Sequence, residues 1–219
     1  GFITPLEKEV PIMDVYPNDE HRASHSQTDV WPEGKMPDMQ EHQCVPYIEW
    51  HMPKQLKTKA IQIIYSGGSY ERNSPDGFEV APARRYLNEK GMAVVTLKYR
   101  TPRPKGLAKH TTAWQDLQRT IRLVRKEAEA RGLDPERIGI MGSSAGGHLT
   151  LMGVTSSQHQ SYLPIDDVDK IPCHVQWGIG IYPAYALTDG AEAQNKQGGN
   201  EDDAILVPEF SFDLKTSPM

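Results

Sequence analysis

The sequence predicts a three-layer α/β fold, a mostly parallel sheet with helices on both faces, and three observations predict it. Short β-rich runs alternate with helical segments from about residue 59 to residue 181. Strands separated by helices need crossover connections, which make neighbouring strands parallel and put helices on the faces of the sheet. Trp114, Leu117, Ile121, Val124 and Ala128 step by three and four residues, which is one face of a long amphipathic helix. A short apolar strand runs through Gly142-Ser143-Ser144-Ala145-Gly146 into a helix by a sharp turn.

Taken in chain order, residues 1–43 are polar and rich in Asp, Glu, His and Pro. They read as an irregular N-terminal extension of a single domain spanning 1–219. Within it, residues 10–16 alternate as an edge strand would, and residues 28–43 read as an irregular surface loop. Residues 44–52 (CVPYIEWHM) are a strand candidate stopped by Pro53. Residues 59–66 (KAIQIIYS) form the next strand, followed by Gly67 and Gly68. Ser74-Pro75-Asp76 reads as a helix start with proline in the first turn. Val80, Ala83 and Leu87 follow at helical spacing, and Gly91 is the stop. Residues 92–99 (MAVVTLKY) make another strand. Thr112 with Gln115 resembles a capping box for the amphipathic helix, whose other face is charged and which ends at Gly132. Residues 137–141 are a short buried strand, 145–154 a helix, 173–181 a further strand, and 194–203 a polar loop.

Composition excludes several function classes. The net charge is −5 and the basic residues are scattered, so no nucleic-acid partner is expected. No apolar run approaches the ~18 residues of a membrane span. Cys44 and Cys173 stand far apart and form no CxxC pair, so they read as two buried thiols. His21 and His25 are four apart but in a polar stretch without helical pattern. No metal and no cofactor are therefore expected. The chain begins with Gly1, which a removed signal peptide would explain as well as other trimming; the expectation leans to a secreted or periplasmic compartment.

The chemistry lies in the G-x-S-x-G turn. Flanking side chains would collide with strand and helix, so both Gly142 and Gly146 have a steric reason to be glycine. The turn lifts the hydroxyl of Ser144 above the sheet edge with a helix N-terminus behind it, where a developing negative charge is favoured. Ser144 is therefore the candidate nucleophile, and Ser143 points elsewhere. A second glycine loop, YSGGSY at 65–70, follows a strand. The candidate oxyanion donors are the N–H groups of Ala145, Gly68 and Ser69, with Gly67 permitting the turn.

Residues 59–190 resemble the acetyl-esterase branch of the α/β-hydrolase superfamily, which includes carbohydrate acetyl esterases. The matching pieces are YSGGSY, GMAVVTLKYR, WQDLQRTIRLVR, LDPERIGIMGSSAGGHL and IYPAY. The family commonly has H-G-G-G or P-G-G-G in the first loop, whereas this chain has Ser66-Gly67-Gly68-Ser69. The resemblance implies an α/β-hydrolase fold and a serine carboxyl-ester hydrolase that removes short acyl groups from carbohydrate.

A serine nucleophile needs a histidine base and an orienting carboxylate, which in this fold follow it in chain order. The resemblance puts both after strands beyond IYPAY, whereas this sequence ends at Met219. The expectation is that His and Asp come from beyond residue 219 or from a second polypeptide, with the C-terminal strands missing here. Within the chain, His148 lies one turn after Ser144 and is directed into packing. His174 opens a strand at the wrong sheet edge, and His110 precedes a helix. Asp189 has no histidine after it. Asp166 to Asp169 near His159 read as a solvated surface. Trp31, Trp50, Tyr70 and Tyr182 are candidates for a sugar-stacking surface. The alternative is a catalytically incomplete hydrolase-fold fragment that acts as a binding or assembly subunit.

Overall fold

A computed structural model describes residues 27–185. The expectations for 10–16, 194–203, His21, His25 and Asp189 lie outside these residues. Strands β1 (Gln27–Asp29), β2 (Tyr47–His51), β3 (Ile61–Tyr65), β4 (Ala93–Lys98), β5 (Ile138–Ser143) and β6 (Trp177–Ile181) form one sheet. Their order is β1-β2-β4-β3-β5-β6. β2 runs antiparallel to both its neighbours, whereas β4, β3, β5 and β6 are mutually parallel. Helices α1 (Ala81–Glu89), α2 (Thr111–Ala128) and α3 (Ala145–Thr155) supply the crossovers.

The two faces of the sheet are covered unequally. Ile63, Val95 and Ile140 join Leu117, Ile121 and Val124 of α2 and Leu149 of α3 in the larger core cluster. Ile64, Val94 and Met141, one residue out of phase, point the other way and meet Val80, Ala83 and Leu87. Alternation on a pleated strand thus gives helices on both faces and the three layers that the sequence predicts.

Several boundaries differ from the expectations, each for a tertiary reason. Residues 28–43 are not all surface loop: Gln27–Asp29 pairs with β2, and Val30 and Trp31 are buried. The indole N–H of Trp31 donates to Asp116 at 2.7 Å, which anchors the segment on α2. α1 begins at Ala81 rather than at Ser74, because residues 74–80 form two successive turns closed by Gly77 N–H to Ser74 O and Val80 N–H to Gly77 O. Thr112 and Gln115 form no capping box. The Thr112 hydroxyl accepts from Gln43, and the Gln115 amide donates to Asp38 and to the Ser161 carbonyl.

The polar face of α2 is not solvated either. Arg100 and Asp116 form a fully buried ion pair at 2.9 Å. Arg119 makes a bidentate pair with Asp166 and also reaches Asp169 at 3.1 Å. The expected solvated acidic surface holds at Asp167, which is exposed, but not at Asp169, which is buried and accepts from the Tyr162 hydroxyl and the Ile165 N–H. α2 passes through a short 3-10 turn into Gly132 at φ +74°, a left-handed stop that suits glycine.

β6 begins at Trp177, not at Cys173. The guanidinium of Arg125 takes the carbonyls of Pro172 and His174, which turns that backbone away from the sheet. Cys44 and Cys173 are both free thiols, Cys44 half-buried and Cys173 buried. Burial pushes the Cys173 thiol up from its ordinary pKa. Among the described residues, no helix is long and apolar enough to cross a membrane.

Candidate active site

β5 ends at Ser143, and the chain turns within one residue into α3. Ser144 makes that turn at φ +53°, ψ −117°, a conformation that L side chains rarely adopt. Hydrogen bonds hold it there. Its N–H donates to Ile181 O at 2.9 Å, and its carbonyl accepts from the N–H of His148 and of Ala184 at 3.0 Å each. The two glycines are explained by contact. A Cβ on Gly142 would stand 2.4 Å from the Gly146 carbonyl oxygen, and one on Gly146 would stand 2.8 Å from the Ser66 oxygen. Ser144 is half-buried and Ser143 is buried. Among the described residues, no hydrogen bond engages the Ser144 hydroxyl.

The second glycine loop lies directly against this turn. A Cβ on Gly67 would meet the Ser143 oxygen at 2.5 Å and the Ser144 Cβ at 2.9 Å, so only glycine allows this approach. Gly68 then runs at φ +129°, and Ser69 and Tyr70 follow at φ +57° and +60°. The Gly67 N–H donates to Glu79 Oε2 at 2.9 Å. The N–H groups of Gly68 and Ser69 have no protein acceptor among the described residues. Three groups hold the loop that local sequence pattern did not reveal. Ser66 Oγ accepts the Ser74 N–H and donates to the Gly67 carbonyl. The Tyr99 hydroxyl donates to the Ser66 carbonyl at 2.7 Å, and Glu79 is twelve residues away in sequence from the glycine it holds.

The BD-FAE family matches residues 48–209, most of the chain. The chain belongs to the BD-FAE family and has the α/β-hydrolase fold. It is 32% identical over 110 residues to an acetylxylan esterase of Xylanibacter ruminicola, a match covering 50% of this chain and 22% of the relative. A probable carboxylic ester hydrolase of Mycobacterium tuberculosis is 25% identical over 141 residues, covering 64% of this chain and 31% of that protein. The chain therefore spans less than a third of the curated relatives it matches. Among solved structures, an acetyl ester-xyloside bifunctional hydrolase from Caldicellulosiruptor lactoaceticus superposes with a TM-score of 0.61 at 28% identity. That match covers 74% of this chain and 58% of the other. A Thermogutta terrifontis esterase has the same fold, with a TM-score of 0.61 at 23% identity and cover of 75% and 55%.

In this BD-FAE chain no histidine among the described residues hydrogen-bonds the Ser144 hydroxyl. His148 is fully buried, and its Nδ1 is paired with the Tyr70 hydroxyl at 2.6 Å, so it is directed into packing as expected. His110 stands at the N-cap of α2 with its ring 5.4 Å from that of His148. His174 precedes β6 rather than opening it and faces Glu136 at 3.5 Å. His42 donates to the Arg103 carbonyl, and His51 is paired with Thr96. His159 lies in a turn closed by its N–H to Ser156 O.

The candidate stacking surface does not assemble. Trp31, Trp50 and Tyr70 are buried in the core, and only Tyr182, 62% exposed, is open to solvent. Trp31 stacks edge-on against Tyr162, and Trp50 lies under the Arg131 guanidinium. Among the described residues, no group of three His, Cys, Asp or Glu side chains could hold a metal ion.

Proposed function

We propose that this chain carries the nucleophile and oxyanion half of a serine carboxyl-ester hydrolase that removes short acyl groups, acetyl above all, from carbohydrate. The observation that carries it is the backbone of Ser144. A non-glycine residue at φ +53° costs about 1–3 kcal/mol and persists where the conformation itself is of use. Here it presents an unengaged hydroxyl at the N-terminus of α3, beside a loop with two free N–H groups. The acetylxylan esterase relative and the acetyl ester-xyloside hydrolase support the acyl group and the sugar.

The chemistry follows. Ser144 Oγ attacks the ester carbonyl carbon while its proton passes to an imidazole. The carbonyl oxygen becomes an oxyanion facing the N–H groups of Ala145, Gly68 and Ser69. Collapse expels the alcohol, protonated by the imidazolium, and leaves acetyl-serine. Water repeats the sequence, which releases acetate and restores Ser144. The imidazole and its carboxylate come from outside residues 27–185, from beyond residue 219 or from a second polypeptide. One observation favours a second reading, a binding or assembly subunit without catalysis: no histidine among the described residues hydrogen-bonds the Ser144 hydroxyl. Intact mass after exposure to a fluorophosphonate separates the two. The enzyme reading expects one adduct on the wild type and none on Ser144→Ala. A folded wild-type protein that stays unlabelled leaves the subunit reading.

A further inference from the structure

Glu79 lies in the turn segment just before α1 and is half-buried. Its two carboxylate oxygens hold two different segments. Oε2 accepts the Gly67 N–H at 2.9 Å, and Oε1 accepts the Tyr182 hydroxyl at 3.0 Å. Both segments touch the nucleophile. Gly67 packs against Ser143 and Ser144, and Tyr182 follows Ile181, whose carbonyl accepts the Ser144 N–H. We propose that Glu79 is a positioning residue of this site: by capturing the Gly67 N–H it orients the loop so that the N–H groups of Gly68 and Ser69 face the reacting carbonyl. The inference rests on the esterase reading above.

Electrostatics shows why the role is geometric. A carboxylate behind the loop opposes the negative charge that develops on the substrate oxygen, so Glu79 does not stabilise it directly. Its gain is orientation. A hydrogen bond to a charged group is among the stronger ones, and it fixes the peptide plane of Gly67, from which the chain runs through Gly68 into Ser69 and Tyr70 in the left-handed region. The same carboxylate lies close to the rest of the loop's support: the Tyr99 hydroxyl, which holds the Ser66 carbonyl, is pushed up in pKa by burial and then by the Glu79 charge. Tyr182 makes the link two-sided, so that the loop and the segment after β6 move together around Ser144.

The test is the hydrolysis of p-nitrophenyl acetate by the full-length protein as wild type, Glu79→Ala and Glu79→Gln. Glutamine can still accept the Gly67 N–H without the charge. Glu79→Ala is expected to lower kcat about 10–100-fold, the scale on which small misplacements act, with KM changed less than about threefold. Glu79→Gln is expected to recover kcat to within about threefold of wild type. An inactive wild type sinks the esterase reading itself. An active wild type with an unchanged kcat in Glu79→Ala, or with equal losses in both variants, overturns the role of Glu79 alone. Should Glu79→Ala not fold, the amide proton of Gly67 decides. It is expected to move upfield in Glu79→Gln relative to wild type, and an unmoved resonance overturns the inference.

Discussion

At the scale of single residues, the site depends on backbone conformations that side chains resist. Ser69 and Tyr70 stand side by side at φ +57° and +60°, where glycine and occasionally asparagine are at ease. The chain tolerates them because the loop is held from outside, by Glu79 on Gly67, by Arg103 Nε on the Ser69 carbonyl at 2.9 Å and by Tyr99 on Ser66. The residue at position 69 can therefore be changed to glycine with relief of strain. Glycine also gains freedom in the unfolded chain, which offsets part of that relief. Ser69→Gly is expected to raise the unfolding free energy by up to about 1 kcal/mol in urea titration. The backbone N–H at 69 remains, so fluorophosphonate labelling of Ser144 is expected to persist.

At the scale of elements, β5 and β6 show how closely this sheet is fitted. A Cβ on Gly139 in β5 would fall 1.9 Å from the ring of Trp177 in β6. The same ring donates its N–H to Gln62 of β3 at 2.9 Å and so lies across three strands. Gly139→Ala displaces the indole, breaks that bond and overfills the space. The expected cost is about 1–3 kcal/mol, read from the denaturant midpoint, together with a change in tryptophan emission. β6 also carries Ile181 and Tyr182 to Ser144 and Glu79, so the variant is expected to slow labelling of Ser144 as well. α2 has a comparable function on the other side. Two of its buried charges are matched by opposite ones, Asp116 by Arg100 and Arg119 by Asp166 and Asp169, whereas the buried Arg125 is held by backbone carbonyls.

At the scale of the whole molecule, these ion pairs make stability depend on pH. The Arg119 hydrogen bond, ahead of the other contributions, holds the Asp166 carboxyl below its ordinary 3.8. The folded state thus binds fewer protons at this site than the unfolded state between the two values. The stability that Asp166 contributes is fully present above its ordinary pKa and is lost as pH falls through the depressed one. Asp166→Asn is expected to be less stable than wild type at neutral pH, with the gap closing below about pH 4 in thermal melts. Asp166 also caps the 3-10 turn at Asp167–Lys170 by accepting the Val168 N–H. The pair ties that connection to α2, and its loss is felt across the larger core face.

Much of this architecture is legible in the sequence, because the signals are local. The spacing of Leu117, Ile121 and Val124 reflects one helix turn, and the apolar runs of β3 and β4 reflect burial on both sheet faces. The Gly-Ser-Ser-Ala-Gly turn reflects a steric demand within five residues, and Ser144 stands in the sharp turn between β5 and α3 that this demand implies. What only the tertiary structure decided depends on residues far apart in sequence. Trp31 becomes core because Asp116, distant along the chain, accepts its N–H. Residues 74–80 become turns because Ser74 and Glu79 are tied to Ser66 and Gly67. Arg125 draws the carbonyls of 172 and 174 out of register and shortens β6. Glu79 had no pattern to announce it, since its role arises from a loop and a strand end that meet only when the sheet forms. Periodicity reports what one element buries; the partners of polar groups are set by packing, and here packing placed them around Ser144.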